Sequence, residues 1–286
     1  MVVAATGFSE GLVGSAYDRD FGALLLLWSG RPVQHGGLFD GVVGTTGGED
    51  LYRAAARRTS ERLAAEAGIG PAARVLDVGC GSGETAAHLA RHTGCQVTGI
   101  DLSARQVAHA AGRCRDLPVR FRQASVTALP FADDEFTHVV CMDALYHVQD
   151  KRRAHSEMRR VLRVGGTLAV TDFLRPTDIV PPEIQAGLYD RLMFNGGRSL
   201  VGYQTDLVAA GFDIRLARDI SLDLRRSYLL LARIARRRLD AADTPALRRD
   251  LRSYAAACVA VQAAIARDEF GWGMFVAHRA PRREAS

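Results

Sequence analysis

The stretch VLDVGCGSGE at residues 75–84 predicts a buried strand that passes through a tight glycine turn into a helix. Gly79, Gly81 and Gly83 occupy alternate positions, where a ligand can lie against backbone that carries no side chain. Dinucleotide sites share this spacing, but the sixth position of their GxGxxG pattern is Glu84 in this chain. The glycine turn therefore predicts a nucleoside-binding site. The neighbouring residues indicate which nucleoside it binds.

Two acidic residues flank this turn and bear on that choice. Asp77 ends the first strand, where its charge would repel a pyrophosphate and attract a cationic nucleoside such as S-adenosylmethionine. The alternative is that Asp77 only caps the turn that follows. Asp101 ends the next strand, about twenty residues after Gly79, which is the spacing of acids that bind ribose hydroxyls. Together the two acids favour S-adenosylmethionine over NAD.

Short apolar runs alternate with helical patterns on both sides of the turn. This alternation predicts an α/β fold, a Rossmann-like, mostly parallel sheet with helices on both faces. The predicted strands are 74–78, 96–101, 119–124, 136–142, 167–173, 212–221 and 273–278. The predicted helices are 49–67, 84–92, 104–113 and 150–162.

The chain is predicted to form one domain in three parts. Residues 1–48 are a glycine-rich lid segment made of loops, and 49–173 are the cofactor-binding core. Residues 174–286 hold the last two strands and two helical insertions, a broken one at 174–205 and another at 222–270. Leu188, Tyr189 and Phe194 in the first insertion indicate an apolar pocket.

Composition excludes several classes of protein. Of the 286 residues, 48% are hydrophobic and 24% are charged, which rules out disorder, collagen and coiled-coil rods. No apolar run near the start could cross a bilayer and no signal peptide is apparent, so the cytoplasm is expected. Five cysteines without a CxxC pair predict reduced thiols. The net charge of +5 comes from scattered arginines and the single Lys151, which does not predict nucleic-acid binding.

The chain resembles the class I S-adenosylmethionine-dependent methyltransferases in four stretches. The matching stretches are 75–84, 97–107, 129–150 and 157–173, in the order that the family has them. The last two resemble most the branch that methylates small metabolites, including natural products, sterols and quinones. The resemblance implies a seven-stranded sheet with an antiparallel last strand, S-adenosylmethionine as cofactor, and a small, largely apolar acceptor from natural-product or antibiotic biosynthesis.

The resemblance also implies which residues contact the cofactor. Gly79, Cys80 and Gly81 would line its methionine part. Asp101 would bind the ribose, with Leu102 against the adenine.

Further contacts are implied around the adenine and the sulfonium. Gln106 would lie near the adenine, while Met142 and His147 would pass near the sulfonium. Many relatives have an aspartate beside the adenine amino group, and this chain has Ser125, followed by Val126, in its place. A hydroxyl still forms a hydrogen bond there, but a charge-assisted bond is lost.

The N-terminal segment contributes a lid in this interpretation. His35 belongs to a stretch that resembles the His-x-Gly segment closing over the cofactor, and Tyr17 and Trp28 would complete the lid. The alternative is an aromatic cluster that only packs against the sheet.

Catalytic candidates follow the fourth and fifth strands, at the edge where open α/β sheets bind ligands. They are Tyr146, His147 and Asp172. His147 titrates near neutrality, and Asp172 could orient it. The alternatives are that His147 only packs against the cofactor, because proximity suffices in many methyltransferases, and that Asp172 only caps a loop.

Other functions remain open. O- or N-methylation is favoured, and C-methylation of a terpenoid or sterol-like acceptor is the alternative. A nucleic-acid base methyltransferase, an NAD-linked oxidoreductase and a non-catalytic binding module are the rivals from other classes. His88 and His92 have metal-ligand spacing, but no third ligand accompanies them and their helix face is expected to be solvated, so no metal is predicted. A small-molecule acceptor is the expected partner, no membrane partner is expected, and a homodimer is left open.

Overall fold

The computed structural model describes residues 7–27, 35–42 and 48–281, and for 20–27 it describes the backbone only. The strands in these ranges are β1 Arg74–Val78, β2 Gln96–Asp101, β3 Val119–Gln123, β4 Phe136–Met142, β5 Leu162–Leu174, β6 Phe212–Asp219 and β7 Gly271–Arg279. The helices are α1 Glu10–Leu27, α2 Gly48–Ala67, α3 Glu84–Thr93, α4 Ala104–Arg113, α5 Lys151–Val161, α6 Pro182–Ile184, α7 Leu200–Ala209, α8 Ser221–Asp240 and α9 Pro245–Ala266.

The described strands form one seven-stranded sheet in the order β3-β2-β1-β4-β5-β7-β6. β7 is antiparallel to β5 and β6, while the other neighbouring strands are parallel. This confirms the predicted α/β fold and its antiparallel last strand. The strand order reverses between β1 and β4, so their carboxyl ends border the crevice where such sheets bind ligands.

The centre of the sheet is apolar on both faces. Val75 points into one hydrophobic cluster and Leu76 into the other, and both are fully buried. A strand with this two-sided burial has a continuous apolar run in its sequence, which is why β1 is recognisable there. The core therefore holds the glycine turn at a fixed place on the sheet edge.

The prediction of loops throughout 1–48 is wrong, because Glu10–Leu27 forms a helix. Gly11 and Gly14 lower the intrinsic helix propensity of this segment. Tertiary contact outweighs propensity here, since Val13 and Ala16 are buried. A side chain at Gly14 would lie 3.3 Å from the carbonyl oxygen of Leu102, so the glycine lets α1 approach the loop after β2. The predicted lid residue Trp28 lies outside the described residues.

Both predicted insertions in the second half are helical. The first contains α6, a π-helical turn at Gln185–Tyr189 and α7, which matches the predicted broken helix. The second contains α8 and α9, which pack against each other as a hairpin. Thr244 caps α9 by accepting a hydrogen bond from the backbone N–H of Leu247, and Pro245 follows in the first turn.

Candidate active site

A cavity lies at the carboxyl ends of β1, β2 and β4 and encloses about 1040 Å³ of atom-free space, including its mouth. Most of the predicted site residues line this cavity. These are Tyr17, His35, Asp77, Gly79, Cys80, Gly81, Asp101, Leu102, Gln106, Ser125, Val126, Met142 and His147. Tyr146 and Asp172 are not among the lining residues, although both lie close behind it.

The glycine turn forms the floor of the cavity. Gly79 has φ +70°, and a side chain there would clash with Cβ of Ala144. The backbone N–H groups of Gly79 and Cys80 both donate to the carbonyl oxygen of Ile100, at 2.9 Å. Only glycine combines this backbone conformation with such a close approach of the neighbouring loop. The turn thus presents bare backbone to whatever occupies the cavity.

Asp101 is held by the turn that it faces. Its Oδ2 accepts from the N–H of Gly81 and its Oδ1 from the N–H of Ser103, both at 2.9 Å. Burial raises the pKa of Asp101, and these backbone donors oppose the rise. The carboxylate is therefore fixed in orientation at the point where β2 ends, beside the cavity.

Asp77 is 2% exposed, and its Oδ2 has no hydrogen-bond partner among the described residues. Burial and the charge of Asp101 raise the pKa of Asp77 to about 7, while the N–H of Ala86 in the first turn of α3 opposes this rise. The carboxyl thus caps α3 and also leaves one oxygen unused. A buried oxygen of this kind is costly unless a donor reaches it, and a cationic donor would restore the charged form.

A second unpartnered oxygen lines the same cavity. Gln106 is 2% exposed, and its Oε1 has no partner in the described structure. Its backbone N–H is occupied, because it donates to the hydroxyl of Ser103 at the start of α4. The cavity therefore offers two buried acceptors, at Asp77 and Gln106, to a ligand that carries donors.

Helix α1 covers one side of the cavity. The hydroxyl of Ser103 donates to Oδ1 of Asp18 at 2.5 Å, and the N–H of Arg105 donates to the same oxygen at 3.1 Å. The hydroxyl of Thr127 donates to Oε1 of Glu10 at 3.0 Å. Sequence reasoning missed Asp18 and Glu10. Their hydrogen-bond partners lie in the loops after β2 and β3, 85 and 117 residues away, and no local sequence pattern indicates such contacts.

Ser125 lies where the resemblance led us to expect an acid in many relatives. Its Oγ accepts from the N–H of Thr127 at 3.0 Å and lies 2.7 Å from the Thr127 hydroxyl. Since Thr127 in turn donates to Glu10, a carboxylate from α1 stands at the same wall of the cavity. Glu10 thus brings to this wall the charge that position 125 lacks.

Tyr17 and His147 meet across the cavity. The Tyr17 hydroxyl lies 2.9 Å from Nε2 of His147, and Nδ1 lies 3.2 Å from the carbonyl oxygen of Met193. A carbonyl can only accept, so Nδ1 carries the proton and Nε2 accepts from Tyr17. Burial lowers the pKa of His147 to about 4, which keeps the ring neutral near pH 7. The side chain of Tyr146 also hydrogen-bonds that of Tyr17 and packs on His147.

Asp172 is 1% exposed and lies behind the turn that carries these rings. It accepts from the N–H of Tyr146 at 3.1 Å and from the hydroxyl of Tyr203 at 3.2 Å. Burial raises its pKa to about 7, and the charge of Lys151 opposes this rise. The structure therefore places Asp172 as a support of the turn, away from the cavity surface.

Asp143, which follows β4, is a buried residue that sequence reasoning missed. Its Oδ1 accepts from the indole N–H of Trp272 at 2.6 Å and from the Thr171 hydroxyl at 2.8 Å. Its Oδ2 accepts from the N–H of Gly36 at 3.1 Å, next to His35. Burial raises the pKa of Asp143, with the charge of His35 opposing it. One carboxylate thus ties the N-terminal segment to β5 and β7.

The predicted solvation of the helix face that carries His88 is wrong. His88 is 8% exposed and stacks on His92 with the ring centroids 4.0 Å apart. Burial lowers the pKa of His88 to about 4. The face is buried because α2 packs on α3. Within the described ranges, no three His, Cys, Asp or Glu side chains come together as metal ligands.

Comparison with known proteins assigns this arrangement to a family. Residues 76–170 match the model of the methyltransferase domain. The 27-O-demethylrifamycin SV methyltransferase of Amycolatopsis mediterranei is 32% identical over 226 residues, which are 76% of this chain and 79% of that protein. The chain therefore belongs to the class I S-adenosylmethionine-dependent methyltransferases, and it is an enzyme of the small-molecule branch.

Two solved structures extend the likeness over nearly the whole fold. The [4+2]-cyclase SpnF superimposes with a TM-score of 0.80 at 26% identity, over 96% of this chain and 98% of that one. A geranyl diphosphate methyltransferase in complex with S-adenosylmethionine superimposes with a TM-score of 0.69 at 20% identity, over 86% and 98%. The second likeness concerns the fold alone.

The cofactor of the family, S-adenosylmethionine, fits the residues present. Its ammonium is the kind of donor that the unpartnered oxygen of Asp77 requires, and the bare backbone at Gly79 and Gly81 leaves room for close approach. The described residues contain no helix that is long and apolar enough to cross a membrane.

Proposed function

We propose that this enzyme transfers a methyl group to a hydroxyl of a largely apolar natural product. The observation that carries the proposal is the Tyr17–His147 pair, in which a neutral imidazole presents an accepting Nε2 inside the cavity. The relative named for 27-O-demethylrifamycin SV supports an oxygen acceptor on a natural product.

In this proposal the chain's own residues hold the cofactor around the glycine turn. Asp77 receives the ammonium, Gly79, Cys80 and Gly81 line the methionine part, and Asp101 receives the ribose hydroxyls. Leu102, Gln106, Ser125, Val126 and Glu10 surround the adenine, while Met142, His35 and Tyr17 enclose the remaining side. When bound there, S-adenosylmethionine supplies an electrophilic methyl group.

His147 takes the acceptor's proton in this scheme. Its Nδ1–H is committed to the Met193 carbonyl, so Nε2 is the atom that is free to receive a proton. An alcohol oxygen that gains a further bond becomes strongly acidic, so a base with a pKa of about 4 suffices as transfer proceeds. Tyr17 yields its place on Nε2 to the acceptor hydroxyl.

An aromatic wall behind His147 supports an apolar acceptor. Tyr146, Phe173, Phe194, Tyr189 and Phe270 pack together with ring centroids between 4.7 and 6.2 Å apart. Leu188 is buried beside them. The middle insertion thus contributes buried aromatic rings behind the cavity, and they would help to exclude water from the reaction.

The likeness to SpnF favours a second candidate, a protein that uses this fold for a [4+2] cyclisation instead of methyl transfer. Its sign would be cofactor binding without transfer to any acceptor. Methylation at carbon remains the alternative within the first candidate.

The deciding experiment incubates the protein with S-adenosylmethionine and 27-O-demethylrifamycin SV, beside amine and alkene acceptors, and analyses the products by mass spectrometry and NMR. A new methoxy group supports the proposal, whereas a new C–CH₃ bond or no transfer despite binding overturns it. His147→Ala should lower kcat by about 100-fold. His92→Ala, a matched change at an exposed ring on α3, should leave kcat unchanged. Full activity of the His147→Ala enzyme would remove the proton role.

The proposal includes the cytoplasm as the place of reaction. All five cysteines are free and buried, which suits a reducing compartment. It also includes a small molecule, not a nucleic acid, as acceptor, because α1 covers one side of the cavity. A homodimer is compatible with it.

A further inference from the structure

Lys151 is the only lysine in a chain whose other strong bases are all arginine. It begins α5, where the helix dipole disfavours a cation. Its ammonium is half-buried and donates to three backbone carbonyl oxygens, those of Leu145, Val148 and Asn195. A compact ammonium with three donors suits three converging carbonyls, whereas the planar guanidinium of arginine does not.

Asn195 binds the two carbonyls of this turn that Lys151 does not reach. Its N–H donates to the carbonyl of Tyr146, and its Nδ2 donates to the carbonyl of His147. The four successive carbonyls of residues 145–148 are therefore all bound by Lys151 or Asn195. We call this set of contacts the carbonyl clamp.

The clamp joins three separate parts of the chain. Asn195 also exchanges two hydrogen bonds with the backbone of Phe8, both at 2.7 Å. Met193, two residues earlier, has φ +50° and accepts from Nδ1 of His147. The middle insertion, the N-terminal segment and the turn that carries Tyr146 and His147 thus meet at Asn195, whose backbone carbonyl Lys151 binds.

We propose that Lys151 is a positioning residue that, through the carbonyl clamp, sets the orientation of His147 and Tyr146 toward the acceptor. Buried Asp172, which holds the N–H of Tyr146, provides the balancing negative charge on the other side of the turn. The inference rests on the proposed function for its effect on catalysis, but the clamp itself is tested without any acceptor.

The first test uses the fact that the chain has a single ε-amine. The folded protein is treated with acetic anhydride in the presence of Nα-acetyl-lysine amide as reference, and acetylation of Lys151 is followed by peptide mass spectrometry. We expect Lys151 to react at least about 10-fold more slowly than the reference, since its amine is half-buried and donates three hydrogen bonds. Asn195→Ala should raise the rate toward that of the reference. Reaction of the wild-type lysine at the reference rate would overturn the clamp.

The second test separates position from charge. Lys151→Met and Lys151→Arg should both lower kcat by about 10- to 100-fold, because small displacements of a reacting group are costly. The Kd for S-adenosylmethionine should stay within about 3-fold of wild type, since Lys151 bonds the backbone carbonyls of Leu145, Val148 and Asn195 and none of the groups proposed to hold the cofactor. Full kcat in the Lys151→Arg enzyme would show that charge alone matters and would overturn the proposal. Arg152→Met, one residue along and exposed, is the matched control.

Failure of the proposed function and failure of the carbonyl clamp give different results. If the wild-type protein binds S-adenosylmethionine but methylates no acceptor, the proposed function fails while acetylation still decides the clamp. A thermal melt of each variant shows whether it folds. Where Lys151→Met does not fold, the acetylation rates of wild type and Asn195→Ala decide whether the clamp exists.

Discussion

The hydroxyl of Tyr17 on α1 donates a hydrogen bond to Nε2 of His147, over a distance of 2.9 Å. The two residues are 130 positions apart in the chain, and the bond places the covering helix in direct contact with the proposed base. The position of α1 over the cavity and the orientation of the imidazole therefore depend on the same hydrogen bond.

Tyr17→Phe should lower kcat by about 10-fold, because it removes the hydrogen bond that orients Nε2 of His147 before the acceptor hydroxyl takes the place of Tyr17. The Kd for S-adenosylmethionine, measured by isothermal titration, should change by less than about 3-fold, since the phenyl ring remains. Tyr254→Phe removes a hydroxyl on α9, away from the cavity, and serves as the control. An unchanged kcat in the Tyr17→Phe enzyme would mean that the hydrogen bond has no part in orienting the base.

Asp77 should link cofactor affinity to pH. Its pKa in the cofactor-free protein is raised to about 7, from an ordinary value of 3.8. A carboxyl with a raised folded-state pKa stabilises the fold below its ordinary pKa, and this contribution is lost as the pH rises through about 7. Charging Asp77 therefore destabilises the free protein at alkaline pH while it strengthens the attraction for a cationic ligand.

Asp77→Asn should accordingly raise the Tm of the cofactor-free protein at alkaline pH and weaken the binding of S-adenosylmethionine by about 10-fold or more. Asp172 titrates in the same range, so the informative quantity is the difference between wild type and variant across the pH series. Unaltered affinity for S-adenosylmethionine in the Asp77→Asn protein would contradict the role of this charge in selecting a cationic cofactor.

Asp143→Ala should destabilise the fold by about 3 kcal/mol, because it leaves the buried donors of Trp272, Thr171 and Gly36 without an acceptor. Urea denaturation followed by tryptophan fluorescence measures the change. The control is Asp268→Ala, since Asp268 is exposed and shares the left-handed backbone conformation, with φ +56° against +51°. Equal losses in the two variants would attribute the effect to backbone strain instead of hydrogen bonding.

The sheet and the glycine turn were predictable because their signals are local. An apolar run such as 75–78 followed by alternate glycines has few other interpretations, and Asp101 stands at a known spacing from Gly79. Most of the predicted lining residues lie at these strand ends, so a correct strand order brings them together.

The rest depends on contacts that local patterns do not contain. Gly11 and Gly14 favour a loop by propensity, and tertiary packing, which buries Val13 and Ala16 and brings Gly14 against Leu102, outweighs that propensity in α1. Asp143 looks like any residue in a turn until Trp272, 129 positions later, donates to it. The single lysine was visible in the sequence, but one of its carbonyl partners, Asn195, lies 44 positions later, and no pattern indicates that they meet.

Asp18 should control how fast the cofactor leaves. It anchors α1 to the N-terminus of α4 through Ser103 and Arg105, and these donors lower its pKa, so the anchor keeps its charge throughout the pH range of an ordinary assay. Asp18→Ala should open α1 more often, because it removes the carboxylate that accepts from Ser103 and Arg105 and leaves the apolar contacts, the Glu10–Thr127 bond and the Arg105 bond to the backbone carbonyl of residue 18. Dissociation of S-adenosylmethionine, measured by stopped-flow fluorescence, should become about 5- to 10-fold faster. Trypsin should also cleave more rapidly after Arg19.

Asp240→Ala, at an exposed position on α8, is the control and should change neither the dissociation rate nor the cleavage rate. If the Asp18→Ala protein released the cofactor and resisted trypsin as wild type does, α1 would be a fixed wall of the cavity, and entry of the cofactor would have to occur from another side.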